Sequence, residues 1–318
     1  MKEIHISKQD KNQRLDKFLK KYFKGATGGF LYKMLRKKNI TLNKTKATGT
    51  EILKDGDCIQ VFFSDETFEK MRASNNSLRD YECLKKVPYD VNVLYEDDDI
   101  IVVNKPCGVL SQKAKEEDIS LNEMILSYLI HTNQLDSDNF LKFRPSVANR
   151  LDRNTSGIVL TGKTLPGQQM LSEVLKKRTI KKIYHCIVYG EISEPMHITG
   201  YLAKDEQTNR VFVSTELFEN AKEIQTEYEP LYYNGTYTCL KVHLITGRTH
   251  QIRAHLASVG HPIVGDPKYG DAKINQKARE TYGIKHQLLH AYSVDFPDGR
   301  VFVAPEPKEF KRMMGKKE

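Results

Sequence analysis

Residues 149–157 read Asn149-Arg150-Leu151-Asp152-Arg153-Asn154-Thr155-Ser156-Gly157, and the apolar run Ile158-Val159-Leu160 follows directly. One carboxylate, Asp152, stands among arginines and short hydroxyl side chains. Nearby positive charge favours the ionised form of a carboxylate, and an ionised carboxylate in a polar pocket is a nucleophile or a base. Asn, Asp, Ser and Gly also make ordinary turns. By itself the stretch therefore reads either as a turn before a strand or as a loop that presents one carboxylate.

A second segment weighs against the plain turn. Residues 247–256 read Gly247-Arg248-Thr249-His250-Gln251-Ile252-Arg253-Ala254-His255-Leu256. Gly260-His261-Pro262-Ile263-Val264-Gly265-Asp266-Pro267 and Lys268-Tyr269-Gly270 follow. Together the two segments resemble the RluA-type pseudouridine synthases, whose signatures are an Arg-Leu-Asp-x-x-Thr-Ser-Gly loop and a Gly-Arg-Thr-His-Gln-Ile-Arg helix start. The resemblance continues at Leu94-Tyr95-Glu96-Asp97-Asp98-Asp99-Ile100, Asn104-Lys105-Pro106, Lys182-Ile183-Tyr184 and Leu289-His290-Ala291, so it spans residues 90–305. Several long motifs in one family's order are a far stronger signal than one short match.

The resemblance implies an α+β fold: a catalytic domain on a mixed, largely antiparallel sheet, preceded by a small α+β RNA-binding domain. It implies a reaction in which a uridine's glycosidic bond breaks, the uracil turns, and carbon 5 rejoins the sugar. That chemistry calls for a carboxylate at the sugar, a pocket that keeps the detached base, and a group that moves the carbon 5 proton. It also calls for a nucleotide turned out of its stack. By resemblance Asp152 is the carboxylate, Arg253 its basic partner, and Tyr184 the ring that stacks on uracil and helps with the proton. Arg150 matches the arginine that fills the space left by the flipped nucleotide. Thr155, Arg248, Thr249, His250 and Gln251 are the further substrate-binding positions, and the helix opened by the last three is expected to offer free amides to an RNA phosphate. Asn149 departs from the pattern, which usually has histidine there.

Charge divides the chain. Residues 1–64 hold 15 of its 50 Lys and Arg and 6 of its 41 Asp and Glu, leaving 35 of each sign in the rest, so the whole net charge of +9 lies at the N-terminal end. Such an asymmetry is the footprint of a polyanion-binding module. Leu15, Phe18, Leu19 and Tyr22, and then Phe30, Leu31, Met34 and Leu35, recur at helical spacing with lysines between them. Short strands are expected at Ile40–Asn43 and Cys58–Phe62. This order resembles the RNA-binding domain first named from ribosomal protein S-four. The resemblance points to Arg14, Lys17, Lys33, Arg36, Lys37 and Lys38 as RNA contacts. The organisation read from sequence is an RNA-binding domain at 1–64, a linker at 65–89 with few apolar residues and no strong period, and a catalytic domain at 90–318. In the latter, helices are expected at Leu121–His131, Gln168–Lys177 and His250–Val259, and strands at Val91–Tyr95, Ile100–Val103, Ile183–Tyr189 and Thr238–Leu244.

Other readings fall away on chemical grounds. Gly157 to Thr164 matches the phosphate-loop pattern G-x-x-x-x-G-K-T, but Ile158-Val159-Leu160-Thr161 is β-branched and apolar where a flexible loop is needed, and Pro166 follows closely. The five cysteines are scattered, with no Cys-x-x-Cys, and His250 and His255 lack the i, i+4 spacing of a helical zinc pair. No metal and no cofactor are expected. No apolar run is long enough for a membrane span, and the start of the chain lacks a signal peptide's apolar stretch. The expectation is a cytoplasmic monomer acting on RNA, nearest the RluC-like branch on large-subunit ribosomal RNA. Its rivals are a non-catalytic RNA-binding protein on the same fold and a carboxylate glycosidase, which would want two facing carboxylates.

Overall fold

A computed structural model describes all residues except 8, 9, 73, 74, 206, 207, 209 and 316–318. The chain opens with a strand the periodicity did not reveal, β1 (Lys2–His5), followed by α1 (Leu15–Tyr22), α2 (Gly28–Arg36), β2 (Ile40–Leu42), β3 (Thr45–Lys46) and β4 (Cys58–Val61). The four strands form one antiparallel sheet in the order β1-β4-β2-β3. Leu15, Phe18, Leu19 and Tyr22 are buried, as their helical spacing predicts, and pack with Ile4, Ile40 and Ile59 of the sheet. Thr27 caps α2, its hydroxyl accepting from the Phe30 amide.

The linker segment contains two helices, α3 (Asp65–Arg72) and α4 (Asn75–Leu84). Among the described residues these helices bury few apolar side chains, and no strong period is visible. Phe68 joins the N-terminal core, whereas Tyr81 and Leu84 join the core of the following body.

That body contains β5 (Val93–Glu96), β6 (Ile100–Lys105), α5 (Leu121–His131), α6 (Ser137–Lys142), β7 (Ser146–Val147), β8 (Ser156–Gly162), α7 (Leu165–Lys177), β9 (Lys181–Tyr189) and β10 (Met196–Asp205). Then come β11 (Arg210–Ser214), β12 (Lys222–Tyr233), β13 (Tyr237–Leu244), α8 (Gln251–Ser258), α9 (Ala272–Tyr282), β14 (Leu289–Asp295), β15 (Val301–Val303) and α10 (Lys308–Met314). The strands make one sheet in the order β11-β10-β12-β13-β9-β14-β8-β6-β5, with β7 on β8 and β15 on β14. Among the described pairs β14 and β8 alone run parallel. Helices cover both faces, so the central strands are apolar on both sides. Ile101 and Val103 belong to the core that also holds α5 and α8, while Ile100 and Val102 belong to the core that holds α7.

Within this frame Ile158–Thr161, the supposed phosphate loop, is the middle of β8 and wholly buried. Lys163 is ion-paired to Glu96 at 2.8 Å. The helix expected at Gln168–Lys177 begins earlier, as α7: Pro166 lies in its first turn, where its missing N–H leaves nothing unbonded, and Thr164 is the N-cap.

Candidate active site

Asp152 lies in the loop between β7 and β8, and almost every residue around it is tied down. The Asn149 side chain spans two backbone groups of β8, donating to the Ile158 carbonyl at 3.2 Å and accepting from the Leu160 amide at 2.8 Å. Ser111 brackets Leu151, its Oγ accepting from the Leu151 amide and donating to its carbonyl, both at 2.9 Å. The buried Lys105 ammonium donates to the carbonyls of Pro106, Val109 and Arg153 at 2.9, 2.7 and 3.0 Å. Burial lowers that ammonium to about 8, and the three carbonyls meet its three donors. Ser156 bonds His290 Nδ1 at 2.8 Å, and His290 Nε2 donates to the Ala304 carbonyl at 3.2 Å. Gly157 has φ +109°, and a Cβ there would stand 2.2 Å from the Ala291 carbonyl oxygen, so β14 and β8 can close only on glycine. The loop is thus braced on both sides of Asp152, whose own side chain is only partly covered.

The carboxylate meets α8. Arg253 Nη1 donates to Asp152 Oδ2 at 2.8 Å. The other edge of the same guanidinium is engaged by Asp266, with Nε–Oδ2 at 2.7 Å and Nη2–Oδ1 at 2.9 Å. Asp266 Oδ1 also accepts from the Lys268 and Tyr269 amides. Burial alone would raise the Asp266 carboxyl, yet these bonds and the arginine charge hold it below its ordinary value. Arg253 is therefore fixed by two points on one side and presents its remaining face to Asp152, a use of the planar fork that lysine cannot reproduce.

His250 stands beside this pair. It takes the left-handed conformation, φ 53°, just before α8. Its Nε2 is 4.0 Å from Asp152 Oδ2, and its Nδ1 is 3.0 Å from the Tyr269 hydroxyl, which accepts from the Val211 amide. Burial, with Arg253 adding to it, outweighs Asp152 and lowers the imidazole below its usual value. In the tautomer whose Nδ1 accepts from the Tyr269 hydroxyl, the neutral ring carries its proton on Nε2, on the side of Asp152. Tyr184, on β9, is buried among Val159, Val242 and Ile252. Its hydroxyl makes no hydrogen bond among the described residues. Burial and then the Asp152 charge push its phenol well above the ordinary value, so it keeps its proton.

The remaining sequence candidates divide by exposure. Arg150, Arg248 and Thr249 are exposed at the mouth. Gln251 and Thr155 are buried, with their side chains bonded within the protein. Gln251 Oε1 accepts from the Thr246 hydroxyl and the Arg248 amide, and its Nε2 reaches the Gln225 carbonyl and Thr226. Thr155 receives the Gln287 amide at 3.4 Å. The start of α8 is correspondingly less open to a phosphate than expected, since the Arg248 and Gln251 amides are both bonded within the protein. Ser111, Lys105, Asp266, Tyr269 and His290 complete the site without having been picked as site residues. For Ser111, far from both segments, the sequence offers no signal. A cavity of about 330 Å³, lined by His197, Glu227, His243 and Lys181, shares none of these residues.

In the N-terminal body Lys17, Lys33, Arg36, Lys37 and Lys38 are exposed. Arg14 differs: its guanidinium grips Asp16 at 3.0 and 3.1 Å, so part of its charge is spent internally. A groove of about 420 Å³ is lined by Tyr32, Lys33, Arg36, Lys46 and Thr48.

Residues 99–258 match the RNA pseudouridylate synthase family. An uncharacterized RNA pseudouridine synthase of Mycoplasma genitalium is 36% identical over 299 residues, covering 92% of this chain and 88% of that protein. The ribosomal large subunit pseudouridine synthase C of Haemophilus influenzae is 28% identical, covering 93% and 87%. Among solved structures, human RNA pseudouridylate synthase domain containing 4 shares the fold, with a TM-score of 0.56 at 19% identity over 76% of this chain and 97% of the human chain.

Proposed function

The chain belongs to the RNA pseudouridylate synthase family, and from that premise we propose that it converts particular uridines of large-subunit ribosomal RNA to pseudouridine, with Asp152 as the catalytic carboxylate. The observation that carries the reading is the Asp152–Arg253–Asp266 chain of ion pairs, in which one carboxylate is buried and fully bonded and the other is left partly exposed. A non-catalytic RNA-binding protein has no use for a carboxylate held this way. The ribosomal target rests on the name borne by several relatives at about the same identity.

In the reaction the bond from the sugar to N1 breaks and one to C5 forms. The C5 proton leaves and N1 ends protonated, so nothing is gained or lost overall. Asp152 acts at the sugar, and Arg253 aims it. The Tyr184 ring lies against the uracil, and its hydroxyl, protonated at rest, passes its own proton on toward N1 as it takes the one from C5. Arg150 occupies the space of the flipped nucleotide, with Arg248, Thr249 and His250 on the flanking backbone. Residues 1–64 act as an S-four-type RNA-binding domain through Lys17, Lys33, Arg36, Lys37 and Lys38, joined by α3 and α4 to the catalytic domain. The enzyme works as a cytoplasmic monomer; among the described residues no helix is long and apolar enough to cross a membrane.

The test is Asp152→Asn on carbon-5-tritiated RNA, beside a map of pseudouridines in ribosomal and transfer RNA from cells with and without the gene. Tritium release should stop while RNA affinity stays within a few fold, and defined sites in large-subunit RNA should disappear from the map. Turnover by Asp152→Asn overturns the catalytic assignment; loss of sites only in transfer RNA overturns the target.

A further inference from the structure

A second set of ligand-type side chains lies on the N-terminal sheet. There β1 and β4 pair with His5 opposite Cys58 and Glu3 opposite Gln60. Glu3 and His5 are two residues apart on a strand, so both project from the same face. That face is opposite the one through which Ile4 enters the core under α1 and α2. The ligand atoms of Glu3, His5 and Cys58 all lie within 4.8 Å of one another, with His5 Nε2 3.8 Å from Glu3 Oε2.

Two features separate this trio from chance surface neighbours. The Glu3 carboxylate is aimed from below: the buried Gln60 amide donates to its Oε1 at 2.9 Å, and the buried Thr41 hydroxyl donates to Gln60 Oε1 at 3.3 Å. Its other oxygen is left toward His5. The backbone under Cys58 is locked to Asn43, whose side chain accepts from the Cys58 amide at 2.9 Å and whose amide donates to the Cys58 carbonyl at 2.8 Å. Outer partners of this kind orient the ligands of bound metals.

We infer that Glu3, His5 and Cys58 form a site for a zinc-type divalent cation, with solvent as the fourth ligand. The donor set decides the class: a thiolate beside an imidazole suits zinc and excludes the oxygen-seeking magnesium and calcium. Tetrahedral zinc with these donors needs ligand atoms about 3.3–3.6 Å apart, an inward turn of roughly 1 Å for side chains of which Glu3 and His5 are solvent-exposed. The cation would clip the edge strand β1 to β4 and stabilise the N-terminal body by mass action. It would leave the lysines on α1 and α2 uncovered, because it sits on the other face of the sheet. The short motif spacings of metal sites do not reveal it, since its ligands come from the two ends of the module.

The experiment uses the full chain with the exposed Cys83 and Cys107 changed to serine, leaving Cys58 as the accessible thiol. Cobalt(II) is titrated near neutral pH, then displaced by zinc. One equivalent should bind, with a near-ultraviolet thiolate-to-cobalt band that zinc abolishes. Cys58→Ser should remove the band, and His5→Ala and Gln60→Met should each weaken binding about tenfold or more, with unchanged circular dichroism. No band in the parent protein, or a band that survives Cys58→Ser, overturns the site.

Discussion

The two regions expected to meet RNA are built in opposite ways. On α1 and α2 the expected contacts Lys17, Lys33, Arg36, Lys37 and Lys38 are exposed, and they need only to be present and solvated for the field they make to act. At Asp152 the groups that matter are removed from water: Arg253, Asp266, Lys105 and His290 are all buried, and each is held by at least two partners. Buried charge is tolerated only when paired and hydrogen-bonded, so one change there disturbs a whole network. A single change on the basic face removes one charge among many.

The comparison is sharpest at Asp266. Asp266→Ala leaves the Arg253 guanidinium buried without its two-point partner, which should cost about 3–5 kcal/mol of stability and lower the single-turnover rate on the order of a hundredfold by freeing Arg253 to turn. Stopped single-turnover assays and thermal unfolding measure both; an unimpaired rate would mean that Arg253 does not set the direction of Asp152. Next in size is the joint change of Lys33, Arg36, Lys37 and Lys38 to alanine. It should flatten the slope of log affinity against log salt by roughly three while leaving the melting temperature and the rate at saturating RNA unchanged. A loss of stability comparable to that of Asp266→Ala would remove the contrast between the two regions.

Acid should take the regions apart in sequence. In the catalytic body burial lowers His255 and His290 from 6.5 to about 4. Over that interval the unfolded chain binds protons that the folded one refuses, so stability falls as pH falls from 6.5 toward 4. In the N-terminal body the Tyr32 hydroxyl and then Arg14 hold Asp16 down from 3.8 to about 2. Its contribution is complete above 3.8 and is lost only as pH drops toward 2. Residue-resolved amide exchange should show the catalytic body opening first, and simultaneous opening of both would contradict these assignments. The smallest effect belongs to Asn149, which bridges two backbone groups of β8. Asn149→Ala should cost about 1 kcal/mol in thermal stability. Asn149→His, keeping one such bond, should cost less; a larger loss with histidine would show that the loop is arranged differently from the family's usual one.

Much of this could be read without coordinates. The helical spacing of Leu15, Phe18, Leu19 and Tyr22 and the apolar runs at Ile100–Val103 and Ile183–Tyr189 placed their elements to within a residue or two of α1, β6 and β9. The helices α3 and α4 inside the linker segment were not legible, because a short helix with few apolar residues leaves no visible period. The burial of Thr155 and Gln251 was not legible either, because a motif fixes which residue is present but not which way it points. Composition and local spacing determined the charge division and the principal elements, which are properties of neighbours along the chain, while the family resemblance singled out the carboxylate on which the proposal rests. Only the tertiary structure decided that Asp266 grips Arg253, that Lys105 and Ser111 brace the loop, and that Cys58 lies across from His5. Those contacts join residues far apart in sequence, and the energy that selects them exists only once water has been excluded from between them.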